Sequence, residues 1–214
     1  MMQHDKMTGT PIALPVRERF EDRMRRIAAK NLREASMNVT EQHPDSARWY
    51  CLQVMRGQEF AVEKELQAAN VEVFMPREKT MQMRHGRRIE CEIPFFPGYL
   101  LVRFVPSAHA FQGLRRQRDV VGIIGGSDGG YHVIRDEVVK AFKRIGEVGM
   151  PRMATDKSFK DGDKADIVDG PFVGFLCLVV AVKWSRQARA RVVIDLQGRS
   201  FEIDSMPLAF LKKL

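Results

Sequence analysis

What this chain lacks narrows its chemistry. It holds 3 cysteines in 214 residues. Cys51, Cys91 and Cys177 lie far apart and form no Cys-x-x-Cys, so neither a disulfide framework nor a zinc ribbon is expected. Each sits in an apolar, strand-like run, where cysteine acts as a small buried hydrophobe, and a reducing, cytoplasmic setting fits. The 5 histidines are scattered, without a His-x-x-x-His spacing, so no metal site is expected. No Gly-x-x-x-x-Gly-Lys-Ser/Thr occurs. The segment Gly125-Gly126-Ser127-Asp128-Gly129-Gly130 lacks the lysine and the helix start that a phosphate cradle needs, and reads as a turn. Asp161, Asp163, Asp166 and Asp169 lack the glycine and the closing glutamate of a calcium loop. Apolar runs are too short to span a membrane, and the first residues show no signal peptide. No acid, base and nucleophile converge. For Cys91 with His109, a structural thiol is the better reading than a nucleophilic pair. The chain is therefore expected to be no enzyme and to carry no cofactor.

What it does have is positive charge. Thirty-five Lys and Arg against 27 Asp and Glu give a formal +8, which favours an anionic partner, nucleic acid being the commonest. The 44% apolar content permits one or two ordinary cores. In the last quarter, Phe159 to Leu214, short apolar runs at Lys164–Val168, Phe175–Lys183, Arg189–Leu196 and Ser200–Ile203 alternate with Asp-Gly, Gly-Pro and Gly-Arg turns. Close-spaced short strands predict a small all-β barrel. A unit of that size houses little chemistry, so it reads as a binding module.

Upstream, residues 1–47 read as an extension: a disordered start, then a basic amphipathic helix from Val16 to Ala35, then a linker from Asn38 to Ala47. Acids Glu18, Glu21, Asp22 and Glu34 dilute its charge, which makes a solvated helix docked on the body the preferred reading. From residue 48 to 146 the order is strand, helix, strand, hairpin, strand, helix, strand, helix. It predicts an α+β fold, an α/β sandwich on a mostly antiparallel sheet. The hairpin covers Glu78 to Glu92 and turns near His85-Gly86. Residues 147–158, with Gly149 and Pro151, read as an interdomain linker, and residues 159–214 as the barrel.

Two sets of residues carry a family pattern. Arg48-Trp49-Tyr50, Gly57, Glu59, Val73-Phe74-Met75-Pro76 and Phe95-Phe96-Pro97-Gly98-Tyr99-Leu100-Leu101-Val102 resemble the N-terminal domain of NusG transcription factors. Val120 to Gly126 extends the match. Gly162-Asp163, Asp169-Gly170-Pro171-Phe172 and Gly198-Arg199 resemble the SH3-like KOW domain that follows it. Two domains in the family order are a specific signal. The resemblance implies a transcription elongation or antitermination factor that binds the clamp helices of RNA polymerase, suppresses pausing and modulates termination. The alternative is an RNA- or ribosome-binding KOW protein.

The same resemblance implies the site residues. Phe95, Phe96, Tyr99 and Trp49 are expected to meet polymerase, with Pro97-Gly98 turning beside the sheet and leaving aromatics partly exposed. Arg84, His85, Arg87 and Arg88 at the hairpin tip are expected to touch non-template DNA, against the plainer reading of a solvated basic turn. Phe172, Phe175, Gln197 and Arg199 are expected to form the partner-binding edge of the KOW domain, which in the family takes Rho or a small-subunit ribosomal protein. Gln197 stands where an aromatic is usual and Cys177 where a glycine is common. With the extension, these departures weaken the expectation of Rho or the ribosomal protein and suggest a specialised paralogue. A monomer is expected, its barrel tethered by the linker and free to recruit.

Overall fold

A computed structural model of the chain describes residues 20–84, 86–125, 130–148, 156–184, 188–196 and 198–214. The extension contributes α1 (Phe20–Arg33) and α2 (Met37–Gln42). The next unit comprises β1 (Arg48–Val54), α3 (Glu59–Ala68), β2 (Glu72–Phe74), β3 (Arg77–Arg84), β4 (Arg87–Pro94), β5 (Tyr99–Phe104), α4 (Ala108–Arg115), β6 (Val120–Ile123), β7 (Val133–Ile134) and α5 (Asp136–Val148). The last comprises β8 (Lys164–Ile167), β9 (Leu176–Lys183), β10 (Arg189–Leu196), β11 (Arg199–Pro207), a 3-10 turn over Leu208–Phe210, and β12 (Leu211–Lys213).

The first sheet has the order β2-β5-β1-β6, with β7 also paired to β1, and its pairs are antiparallel. β1 and β5 are buried along nearly their whole length. Successive side chains on a strand point to opposite faces, so these two strands feed two cores. Tyr50, Leu52, Leu100, Val102 and Phe104 join Leu32, Val62, Leu66 and Leu114 beneath the helices α1, α3 and α4. Trp49, Cys51, Tyr99 and Leu101 join Phe142 of α5 on the other face. A strand buried on both faces shows a continuous apolar run, which is why these two are legible as strands.

The expected linker over Asn38–Ala47 is partly helical. Ser36 bridges Val71, and the Met37 amide donates to the Asn70 carbonyl at 2.6 Å. These tertiary contacts fix the start of α2 in a segment too short to show its own period. Asn70 closes α3 with φ 58°, a left-handed conformation that asparagine tolerates. The appended α1 crosses α4 at Gly113. A Cβ there would lie 2.5 Å from the Leu32 backbone nitrogen, so only glycine permits the approach. Beside it the Asn31 amide donates to Gln112 Oε1 at 2.8 Å. Among the described residues no helix is long and apolar enough to cross a membrane.

The second sheet runs β11-β10-β9-β8-β12. β12 pairs antiparallel with β8. β10 alternates inward Ala190, Val192 and Ile194 with outward Arg191 and Asp195. The sheet does not stand apart from the first unit, as a tethered barrel would. Its apolar interior is continuous with Phe95, Phe96, Tyr99 and Phe142 in one core.

Candidate functional site

Pro97 and Gly98 turn the chain into β5, with Gly98 at φ 87°. The turn is tied down from three sides. The Gly98 N–H donates to Glu59 Oε1 at 2.7 Å, its carbonyl accepts from Val54 N–H at 2.8 Å, and the Tyr99 N–H donates to the Phe96 carbonyl at 3.1 Å. Glu59 is itself buried, and a buried carboxylate held by a backbone donor is a rigid anchor. The turn therefore presents Phe96 and Tyr99 on one face in a fixed orientation.

That face is a mosaic of edge-on rings. Phe95 and Phe96 lie 4.8 Å apart at 77°, and each sits 5.5 Å from Phe142. Edge-to-face pairs at such separations add about 0.5–1.5 kcal/mol each beyond burial. The expectation of partly exposed aromatics is corrected here: Phe95, Phe96 and Tyr99 are 1%, 2% and 3% exposed. The cover is the C-terminal barrel. Phe172 stands 5.4 Å from Phe96 and 5.3 Å from Tyr99, and Phe210 stands 6.1 Å from Phe142. Gly170 gives Phe210 its room: a Cβ there would come within 3.1 Å of the ring, and φ is 86°. The turn geometry implied an apolar surface beside the sheet, but what lies over it depends on Phe172 and Phe210, far along the chain.

Polar contacts rim the aromatic contact. The Tyr99 hydroxyl donates to the Glu202 carbonyl at 2.7 Å. Burial pushes that phenol well above its usual range, so it stays a donor. Arg189 pairs with Glu78 and lies over the Phe95 ring at 4.3 Å. Burial pulls the Arg189 guanidinium down, and Glu78 opposes the shift. Arg56 pairs with Asp204. His132 Nε2 lies 3.1 Å from the Pro171 carbonyl, and its ring 4.5 Å from that of Phe175. Sequence reasoning missed Arg189, Glu78, Arg56 and Asp204. Complementary charges so far apart leave no local pattern.

Trp49 shares this core but lies under α5, with the Lys143 ammonium 5.4 Å from its ring. Arg87 and Arg88 are exposed on β4. His85 and the Arg84 side chain lie outside the described residues, as does Gln197. Phe172 and Phe175 are 0% and 4% exposed, while Arg199 is exposed. The expected barrel edge is therefore not one open surface in this arrangement: Phe172 is committed to the contact with Phe96 and Tyr99. Cys51 and Cys177 are buried and Cys91 is half-buried. Among the described residues no group of three or more His, Cys, Asp or Glu could hold a metal ion.

The profile of a family described as NusG, transcription termination factor, matches residues 47–143. The transcription termination/antitermination protein NusG of Yersinia pestis is 32% identical over 168 residues, covering 73% of this chain and 91% of that protein. The protein of the same name from Escherichia coli strain K12 matches at the same identity and coverage. A solved structure described as "Domain interaction in Thermotoga maritima NusG" aligns with 78% of this chain and 97% of its own, at 22% identity and TM-score 0.38.

Proposed function

The chain belongs to the NusG family, and we propose that it binds RNA polymerase, suppresses pausing and modulates termination, without being an enzyme. The polymerase-binding surface is the aromatic face around Phe95, Phe96 and Tyr99, with Trp49 supporting it from the core, and the partner element is the pair of clamp helices. The observation that carries this reading is the rigid Pro97-Gly98 turn, anchored on Glu59, that sets Phe96 and Tyr99 side by side on an apolar face. Large aromatics on a preorganised surface are the usual anchors of an interface.

In the docked form the barrel and polymerase compete for the same rings, so binding requires the barrel to leave. Released, the barrel exposes Phe172 and can recruit a second partner with Phe175, Arg199 and Gln197. Rho and a small-subunit ribosomal protein are the family candidates. The exposed guanidinia of Arg87 and Arg88, with Arg84 and His85, suit phosphates of the non-template strand. Acting on pausing then needs only differential affinity: a factor that holds the closed clamp better than the open one depopulates the paused state by that difference. A cytoplasmic location follows from this activity. The reading as an RNA- or ribosome-binding KOW protein is not favoured, because a relative named NusG matches over 73% of this chain and 91% of its own length.

Co-sedimentation with purified polymerase tests the proposal. Phe96→Ala with Tyr99→Ala is expected to abolish binding, including when the barrel has been released by Glu78→Lys. Retained binding in that combined variant would remove the aromatic face as the polymerase site.

A further inference from the structure

Among the described residues, nothing covers one apolar face of the barrel. On β9 the inward Cys177 and Val179 belong to the core. Leu176, Leu178 and Val180 point outward and are 62%, 43% and 40% exposed. Side chains of a strand alternate between its faces, so these three form one stripe. β9 lies between β8 and β10, in the middle of its sheet, so the stripe is not a frayed edge. Val193 of β10 is the register partner of Leu178 and widens it, and the exposed Trp184 stands just beyond the end of the strand.

The solvated face of an antiparallel sheet is ordinarily polar, and a contiguous apolar stripe on it marks a contact with another protein. The charges beside the stripe narrow the choice of partner. On β8, Lys164 is the register partner of Leu178 and Asp166 that of Leu176. Both project from the outer face, because Ala165 and Ile167 are the buried residues of that strand. Among the described residues neither Lys164 nor Asp166 takes part in an ion pair. Lys212 of β12 is the register partner of Asp166 and carries the cationic rim outward.

Such a face is complementary to itself. Consider two copies packed face to face about a two-fold axis that runs across the strands at the level of Ala165 and Cys177. Leu176 of each copy then meets the partner's Leu178, and Lys164 of each meets the partner's Asp166. Moving the axis to the level of Leu178 would set lysine against lysine, so the charges select the register. We propose that the outer face of β8 and β9 is an isologous interface with a second copy of this chain, closed by two reciprocal Lys164–Asp166 pairs. It uses the side of β9 opposite to the residues that share a core with Phe96 and Tyr99, and does not depend on polymerase binding. The face is small, so the dimer is reversible, with a dissociation constant on the order of micromolar.

Sedimentation equilibrium of the full chain, from about 1 to 200 µM, tests it. A monomer–dimer equilibrium is expected. Leu178→Lys, a change at an exposed position, should weaken association about tenfold or more, with the circular dichroism spectrum unchanged. Lys164→Asp and Asp166→Lys should each weaken it, and the two combined in one chain should restore it, which a merely structural role for either residue would not produce. A monomer throughout the range would overturn the proposal. So would dimerisation indifferent to Leu178→Lys, or association that appears only in Glu78→Lys and therefore belongs to the released aromatic rings. Growth beyond two copies would also overturn it, because an isologous contact closes at the dimer.

Discussion

Arg189 and Glu78 are 111 residues apart and form an ion pair that joins the barrel to the base of the hairpin, with the guanidinium also lying 4.3 Å over Phe95. The Arg189 side chain is 11% exposed and that of Glu78 is 29%. The pair is therefore screened less than a surface bridge but is not fully dry.

Removing one partner leaves a charge stranded at the contact. Glu78→Ala is expected to weaken docking by about 1–3 kcal/mol, and Glu78→Lys by more through repulsion. Small-angle scattering should show a larger radius of gyration, and polymerase affinity should rise by about 5- to 150-fold if release limits binding. The charge reversal Glu78→Arg with Arg189→Glu should restore the compact form. An unchanged radius in Glu78→Lys would remove this pair as a latch.

Tyr99→Phe deletes one hydroxyl and leaves the Glu202 carbonyl without that donor. About 1 kcal/mol of docking is expected to be lost, the usual net worth of one hydrogen bond, with the first unit unchanged. Backbone chemical shifts around Glu202 should move toward those of the released barrel. Shifts confined to the ring's immediate neighbours would mean that the hydroxyl contributes nothing to docking.

Gly113→Ala forces a methyl against the Leu32 backbone nitrogen and the Asn31 carbonyl carbon. Helix α1 must move away, at a cost of about 1–3 kcal/mol. Thermal midpoints should fall about 2–4 °C for each kcal/mol, and trypsin should cut faster at Arg23, Arg25 and Arg26. An unaltered digestion pattern would argue that α1 is not held at this crossing.

The thiols offer a pH-dependent check. Burial pushes the Cys177 thiol up to about 11 from its ordinary value near 9, with Asp166 acting in the same direction. The unfolded thiol ionises first, so the folded state is progressively disfavoured as pH rises from about 9 through 11, and the effect is absent below 9. Iodoacetamide at pH 8 should modify half-buried Cys91 before Cys177 and Cys51. Early labelling of Cys177 would mean that the barrel opens readily.

The parts of the fold legible in the sequence are those that local patterns specify. β1 and β5 appear as unbroken apolar runs because both faces are buried, and β10 appears through its alternation. The hairpin's turn is marked by Gly86, at φ 75°. α2, β7 and β12 are short and depend on partners: Asn70 and Val71 for α2, Trp49 and Tyr50 for β7, Ala165 to Ile167 for β12. The shared apolar face of Phe95, Phe96 and Tyr99 was legible in the Phe-Phe-Pro-Gly-Tyr run. Its cover was not, because an inward Phe172 and an interfacial Phe172 give the same pattern of apolar residues.

The continuous core shared by both units has a consequence for the chain in isolation. Separating them would bring Phe96, Tyr99, Phe142, Phe172 and Phe210 to water together, and contiguous apolar patches of that kind drive self-association. Docking is thus a form of storage: each unit shields the other's adhesive surface until a partner takes its place. A variant locked open should be the less soluble protein, and its losses should grow with concentration, whereas a simple loss of stability would not depend on it.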